Sequence, residues 1–191
     1  DNLKILEDMG AELVYFSPLR DEKIPADVDG LIFYGGYPEL YAEKLSRNSS
    51  MRDSVRMALK KGLPCIGECG GFLYLQEYLE TKEGQRFPMT GVLPGGSHYT
   101  GRLLRFGYVT LSGGTAFGRD AGEIPAHEFH YYDSTDAGNA YLASKPLSKR
   151  SWRCIVSTER LWAGYPHIHY GGNRKFAENF LDACRNRRKE L

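Results

Sequence analysis

Hydrophobic and polar positions along the first half of the chain alternate between helical and strand periods. Leu3, Ile5, Leu6 and Met9 recur at helical spacing, and Gly10 suits the end of that helix. Glu12 to Phe16 reads as a strand stopped by Ser17-Pro18, and Gly30 to Tyr34 as a second apolar run ending in Gly35-Gly36. Met51, Val55, Ala58 and Leu59 then mark a helix with Asn48 or Ser49 as its cap and Gly62 after its end. Leu63 to Gly67 is short and wholly apolar, as a strand covered on both faces should be. Phe72 to Leu79 reads as helix. The second half is richer in glycine and in strand patterns, at Arg102 to Leu111, Ala126 to Tyr132, Trp152 to Ser157 and Leu161 to Ala163. A helix from about residue 173 to 187 closes it.

Strands separated by helices imply a doubly wound, mostly parallel sheet. The expected fold is therefore a three-layer α/β sandwich with an antiparallel extension, a single domain over residues 1–191. The chain opens on a helix where such folds begin with a strand, so it is expected to be a fragment cut inside its first βα unit. An open slot is expected in the sheet beside Leu31 to Tyr34.

Composition narrows the function. Lys plus Arg number 25 and Asp plus Glu 24, a net charge of +1, which gives no electrostatic case for nucleic acid or an anionic membrane. The basic residues Arg185, Arg187, Arg188 and Lys189 suit a solvated helix end, where cations complement free carbonyls. No apolar run approaches the roughly 18–20 residues of a membrane-spanning helix. Four cysteines without a CxxC pair argue for a reducing, cytoplasmic setting.

The strongest chemical signal is Gly67-Glu68-Cys69-Gly70-Gly71 between a buried strand and a helix. G-x-C-x-G there is a nucleophile-elbow pattern, with cysteine in the place of serine. Its glycines permit close strand–helix packing, the Gly70 N–H is placed for an oxyanion, and the helix start is expected to lower the thiol pKa. A thiol nucleophile needs a base, and the candidates are His98, His127, His130, His167 and His169. On a strand, His167 and His169 would share a face. A second glycine turn, Tyr34-Gly35-Gly36-Tyr37-Pro38, lies at a strand end where open α/β sheets bind ligands.

The strings LIFYGGYPELYAEKLS, GLPCIGECGGFLYL, HEFHYYDST and AGYPHIHYGGNRKFAENFL resemble the glutaminase domain of cobyrinic acid a,c-diamide synthases, from Asp1 to about Leu181. The resemblance implies a class I glutamine amidotransferase fold and Cys69 as the nucleophile that forms a γ-glutamyl thioester. It implies His167 as base and acid, Gly36 and Gly70 as oxyanion donors, and Gly35, Tyr37, His130 and Tyr131 around the glutamine. It further implies that ammonia amidates the a and c acetate side chains of cobyrinic acid, a tetrapyrrole of cobalamin biosynthesis, in a cytoplasmic enzyme; the sequence leaves the oligomeric state open, with a homodimer of the full-length protein as one candidate.

ATP and Mg2+ would belong to a synthetase domain outside this chain, which has no G-x-x-x-x-G-K-[ST] segment. Where other class I members carry a glutamate two residues after the histidine, this chain has His169. The third member of the triad is therefore open, with His169 the candidate orienting residue. No metal is expected. Two other functions share the residues: a metalloenzyme built on His127, His130, His167 and His169, and a redox or binding module that uses the elbow cysteine.

Overall fold

A computed structural model describes residues 1–190. Its central sheet has the order β1 (Leu31–Phe33), β2 (Cys65–Glu68), β14 (Leu161–Gly164) and β13 (Val156–Ser157). The first three strands are parallel, and β13 is antiparallel to β14. Alternate side chains of this sheet enter two different cores, as the period of a strand dictates. Leu31, Phe33, Cys65 and Ala163 face helices α2 (Ala42–Arg47), α3 (Ser49–Lys60) and α4 (Gly70–Leu75). Ile66 and Trp162 face the opposite layer, where α1 (Asn2–Asp8) contributes Leu6 and α5 (Arg174–Lys189) contributes Phe176 and Phe180. That makes the three layers of an α/β sandwich.

The extension carries most of the described strands. A five-stranded sheet runs β12 (Ser151–Cys154), β11 (Tyr141–Ser144), β6 (Arg105–Ser112), β9 (Ile124–His130) and β15 (His167–Ile168). A four-stranded sheet runs β10 (Tyr132–Ser134), β5 (Gly96–Tyr99), β3 (Tyr78–Glu80) and β4 (Arg86–Pro88). The short hairpin β7 (Thr115–Ala116) with β8 (Arg119–Asp120) completes the described strands.

Local chemistry sets the helix ends. The Asn48 side chain accepts from the Met51 N–H at 3.3 Å and caps α3, while its amide donates to the carbonyls of Pro18 and Asp21. Asn173 caps α5 in the same way, accepting from Phe176 N–H at 3.0 Å.

Three expectations need correction. Glu12 to Phe16 is not a strand. Its Phe16 ring packs edge-on against Phe33 at 5.6 Å, but its backbone meets no ladder, and a strand exists only where one pairs. The outer edge of β1 is likewise unpaired among the described residues. Phe72 to Leu79 is not one helix, because Gln76 turns extended (ψ 178°) and Tyr78 to Glu80 joins β4 and β5 as strand. Trp152 to Ser157 is two strands in two sheets. Ile155 lies between them at φ 68°, and there the chain crosses from the antiparallel extension into the central sheet.

The α5 layer is anchored by Trp162, fully buried and edge-to-face with Phe176 at 5.0 Å. Trp162→Ala is expected to lower unfolding stability by about 3–5 kcal/mol, the cost of truncating a large buried aromatic. Urea unfolding followed by circular dichroism measures it, and a loss under about 1 kcal/mol would mean that this layer collapses around the gap.

Candidate active site

The site lies where the parallel strands end. Strand β2 has partners on both edges, so it carries the chain through the interior and releases it at Glu68. The next residue, Cys69, adopts φ 47° and ψ −105°, a left-handed conformation unusual for a residue with a Cβ. Its N–H donates to the Gly164 carbonyl of β14 at 2.8 Å, and its carbonyl accepts from Leu73 N–H at 3.0 Å. Close approach explains the glycines that follow. A Cβ on Gly71 would meet the Phe33 carbonyl oxygen at 2.1 Å, and one on Gly70 would meet the Gly36 oxygen at 2.6 Å. The two glycine turns predicted from sequence are thus in backbone contact, Gly36 against Gly70.

His167 opens β15, three residues after the Gly164 that holds the elbow. Its ring lies directly on Gly35, where a Cβ would come within 2.4 Å of Cε1. Cys69, Gly35, Gly36, Gly70 and His167 therefore converge on one end of the sheet. Nδ1 of the imidazole lies 3.7 Å from Oε2 of Glu68, whose side chain is almost wholly buried.

Burial governs the electrostatics. The Cys69 thiol is pushed up to about 12, first by desolvation, while the Gly70 N–H directed at it works the other way. Glu39, Glu68 and Glu128 add to the rise. The expected lowering by the helix start is overridden, because α4 has only six residues and the thiol is surrounded by carboxyls. His167 moves downward, chiefly through burial, then through His127 and His130, with Glu128 opposing. Thiol and imidazole are therefore both neutral at neutral pH.

This geometry agrees with the comparisons. The profile of the CobB/CobQ-like glutamine amidotransferase domain matches residues 1–175. The chain belongs to that family. It is 40% identical over 182 residues to a cobyrinate a,c-diamide synthase of Fusobacterium nucleatum, covering 93% of this chain and 40% of that protein. It is 36% identical to the Priestia megaterium protein of the same name, covering 100% of this chain and 42% of the relative. The chain thus spans about two fifths of the length of these relatives. Among solved structures, a glutamine amidotransferase aligns with TM-score 0.66 at 18% identity, over 95% of this chain and 90% of that one. A Thermoplasma acidophilum protein, a putative GMP synthase subunit, aligns with TM-score 0.58 at 19% identity, over 97% and 87%. At such identities these two show the fold alone.

The remaining candidates of this amidotransferase domain fall in different places. His130 is buried, with Nδ1 2.7 Å from the Tyr132 carbonyl and Nε2 3.1 Å from Glu128 Oε2. Its ring stacks on Tyr165 at 3.9 Å, so both nitrogens and one face are occupied. Tyr131 and Tyr37 are exposed, the former stacked on Tyr99. His169 does not share a strand face with His167, because β15 stops at Ile168. Its ring is largely exposed, with Nε2 3.6 Å from Asp1 Oδ2. Along β9, His127 and His130 lie on opposite faces, one half-buried and one buried. Among the described residues no group of three or more His, Cys, Asp or Glu side chains could hold a metal. The residue that the motif reading passed over is Glu68. Ending the apolar run at Gly67 hid an acidic residue on the last position of a buried strand.

The contact of Gly35 with the His167 ring makes a prediction. Gly35→Ala must displace the imidazole, and a shift of about 1 Å there is expected to cost about 10²-fold in glutamine turnover. The melting temperature should hold, since Gly35 is exposed and not at positive φ. Imidazole proton NMR checks the displacement. Unchanged His167 resonances with full turnover would show that the loop yields instead.

Proposed function

We propose that this chain is the glutaminase of a cobyrinate a,c-diamide synthase. The observation that carries the reading is the Cys69 elbow, with His167 seated on Gly35 at the same sheet end. The Cys69 sulfur attacks the side-chain amide carbon of glutamine as the thiol proton passes to the free ring nitrogen of His167. The Gly36 and Gly70 N–H groups receive the oxyanion. The imidazolium returns its proton to the amide nitrogen, ammonia leaves, and a γ-glutamyl thioester remains. His167 then takes a proton from water, hydroxide adds to the thioester, and glutamate departs with the thiol restored. The balance is glutamine plus water to glutamate plus ammonia.

The neutral resting pair fits this order of events. A thiol pushed up to about 12 stays protonated until a carbonyl carbon is in place, and an imidazole moved downward is a base at neutral pH. In the full-length protein we place the amidation of the a and c acetate side chains of cobyrinic acid outside this chain, with ATP and Mg2+. The described residues do not fit those groups: they have neither the glycine-lysine loop for phosphates nor a cluster of carboxylates for the cation. No helix of the described residues is long and apolar enough to cross a membrane.

A glutamine-directed electrophile, 6-diazo-5-oxo-norleucine, is expected to label Cys69 and leave Cys65, Cys154 and Cys184 untouched, since those three thiols are buried. Peptide mapping reads the site. Cys69→Ser and His167→Ala should each remove turnover by several orders of magnitude. His169→Ala should cost far less, and a chelator should leave glutamine hydrolysis intact. Label on another cysteine, or full turnover in Cys69→Ser, would end the glutaminase reading. Loss in the chelator would favour the histidine-metal alternative.

A further inference from the structure

The class I pattern leaves this domain without an acid beside its histidine, since His169 stands in that position with its ring turned to Asp1. The fold brings another carboxyl to the place. Glu68 ends β2, directly before the nucleophile, and is 2% exposed. Because β2 alternates, its side chain points with Ile66 toward the α5 layer and away from Cys65. There it reaches the His167 ring, with Oε2 3.7 Å from Nδ1. Its other oxygen, Oε1, is buried without a hydrogen-bond partner. Acidic side chains are almost never buried this fully without a compensating partner, so an unpartnered oxygen beside a base calls for an explanation.

We propose that Glu68 is the positioning residue of His167, supplying from the residue before the nucleophile the carboxyl that related enzymes place after the histidine; this rests on the glutaminase reading. When Nδ1–H donates to Glu68, the lone pair of Nε2 is left for the thiol proton. The separation is longer than a hydrogen bond. An approach of roughly 1 Å closes it to the usual range of about 2.7–3.2 Å. The charge that forms on the imidazole during attack supplies the attraction, and the buried setting strengthens it.

The groups that face Glu68 restrict its titration. Tyr34, after β1, and Tyr170, after β15, are both pushed upward by burial, and Glu68 itself contributes to that rise. Cys69 is pushed up to about 12 and His167 is moved downward. Burial raises the Glu68 carboxyl to about 8, against the backbone N–H of Ile168. Of these groups, Glu68 alone changes charge near pH 8. The competing role is a latch, in which the carboxyl only ties β2 to the Ile168 backbone.

The test measures steady-state glutamate release by the complete natural protein and its Glu68→Gln, His167→Ala and double variants. If Glu68 acts through His167, Glu68→Gln lowers kcat by roughly 10²–10⁴-fold with little change in KM. The same change then costs almost nothing further in His167→Ala, because the two act as a unit. The wild-type kcat rises with pH through about 8 as the carboxyl ionises, and Glu68→Gln lacks that rise. Should the glutamine variant fail to fold by circular dichroism, Glu68→Asp, which keeps the charge, is expected to retain the pH step. Equal losses from Glu68→Gln in both backgrounds, wild-type kcat in Glu68→Gln, or a pH step that survives it overturns the positioning role and leaves the glutaminase reading standing. Full turnover in His167→Ala overturns both.

Discussion

The Cys69 backbone is held in a conformation that costs a non-glycine residue on the order of 1–3 kcal/mol, and the rest of the site depends on that hold. Three contacts impose it. The Gly164 carbonyl takes the Cys69 N–H, Gly70 lies on the Gly36 backbone, and Gly71 lies on the Phe33 carbonyl. One contact comes from the end of β14 and two from the end of β1, so the elbow requires β1, β2 and β14 to finish at the same level. Their parallel ladders secure this, with Phe33 opposite Gly67 and Gly164 opposite Glu68. Once the ends are level, the residues just beyond them meet without further adjustment. The two glycine turns come from β1 and β2, and His167 follows from β14.

The histidine needs a second restraint, which the antiparallel extension provides. His167 pairs with His127 of β9, and β9 pairs with seven successive residues of β6. His167, the proposed base, is therefore mounted on a broad sheet, while Cys69, the proposed nucleophile, is mounted on the parallel core. Gly35 is one point where these two parts touch. On the buried face of β9, Glu128 takes the Trp152 indole N–H at 3.1 Å and lies against His130, which stacks on Tyr165 next to β14. That polar wall fixes the extension against the core at the level of the site. A buried polar network of this kind specifies one arrangement only when its members are satisfied, and the contacts of His130 and Glu128 meet that condition.

Local features of this design were legible in the sequence, and pairing was not. A buried strand, two glycines and a cysteine announce an elbow because steric demand is local to the chain. The cap at Asn48 and the start of α5 near residue 173 are local for the same reason. Glu12 to Phe16 has a strand composition, but a ladder needs a partner and its own residues cannot report one. Leu73, Leu75 and Leu79 fit a helix or a helix followed by a strand equally well, and β4 and β5 decide the matter through pairing. Ile155 at positive φ was invisible because its conformation is imposed from elsewhere, by the Gly138 backbone pressed against it. Glu68 was missed for a related reason. An acid at the end of an apolar run reads as the start of a loop, and only the fold shows that β15 closes over it.

If Cys69 is the nucleophile proposed above, its burial means that reactivity is switched on by substrate. A thiolate is the nucleophilic form of cysteine and also the form most open to oxidation. The elbow leaves Cys69 partly accessible, so a resting thiolate there would be exposed to both fates. Desolvation and three nearby carboxyls instead keep the sulfur protonated, and burial keeps His167 uncharged. Moving the proton between them in the empty site would create two opposite charges in a poorly solvated space, which is unfavourable unless both are stabilised. A bound amide changes this. On the proposed mechanism, the negative charge passes to the carbonyl oxygen as sulfur attacks carbon, the proposed N–H donors receive it, and only the imidazolium needs compensation from the protein. The same burial that makes the resting thiol inert thus confines charge separation to the moment when a carbonyl is present to receive it.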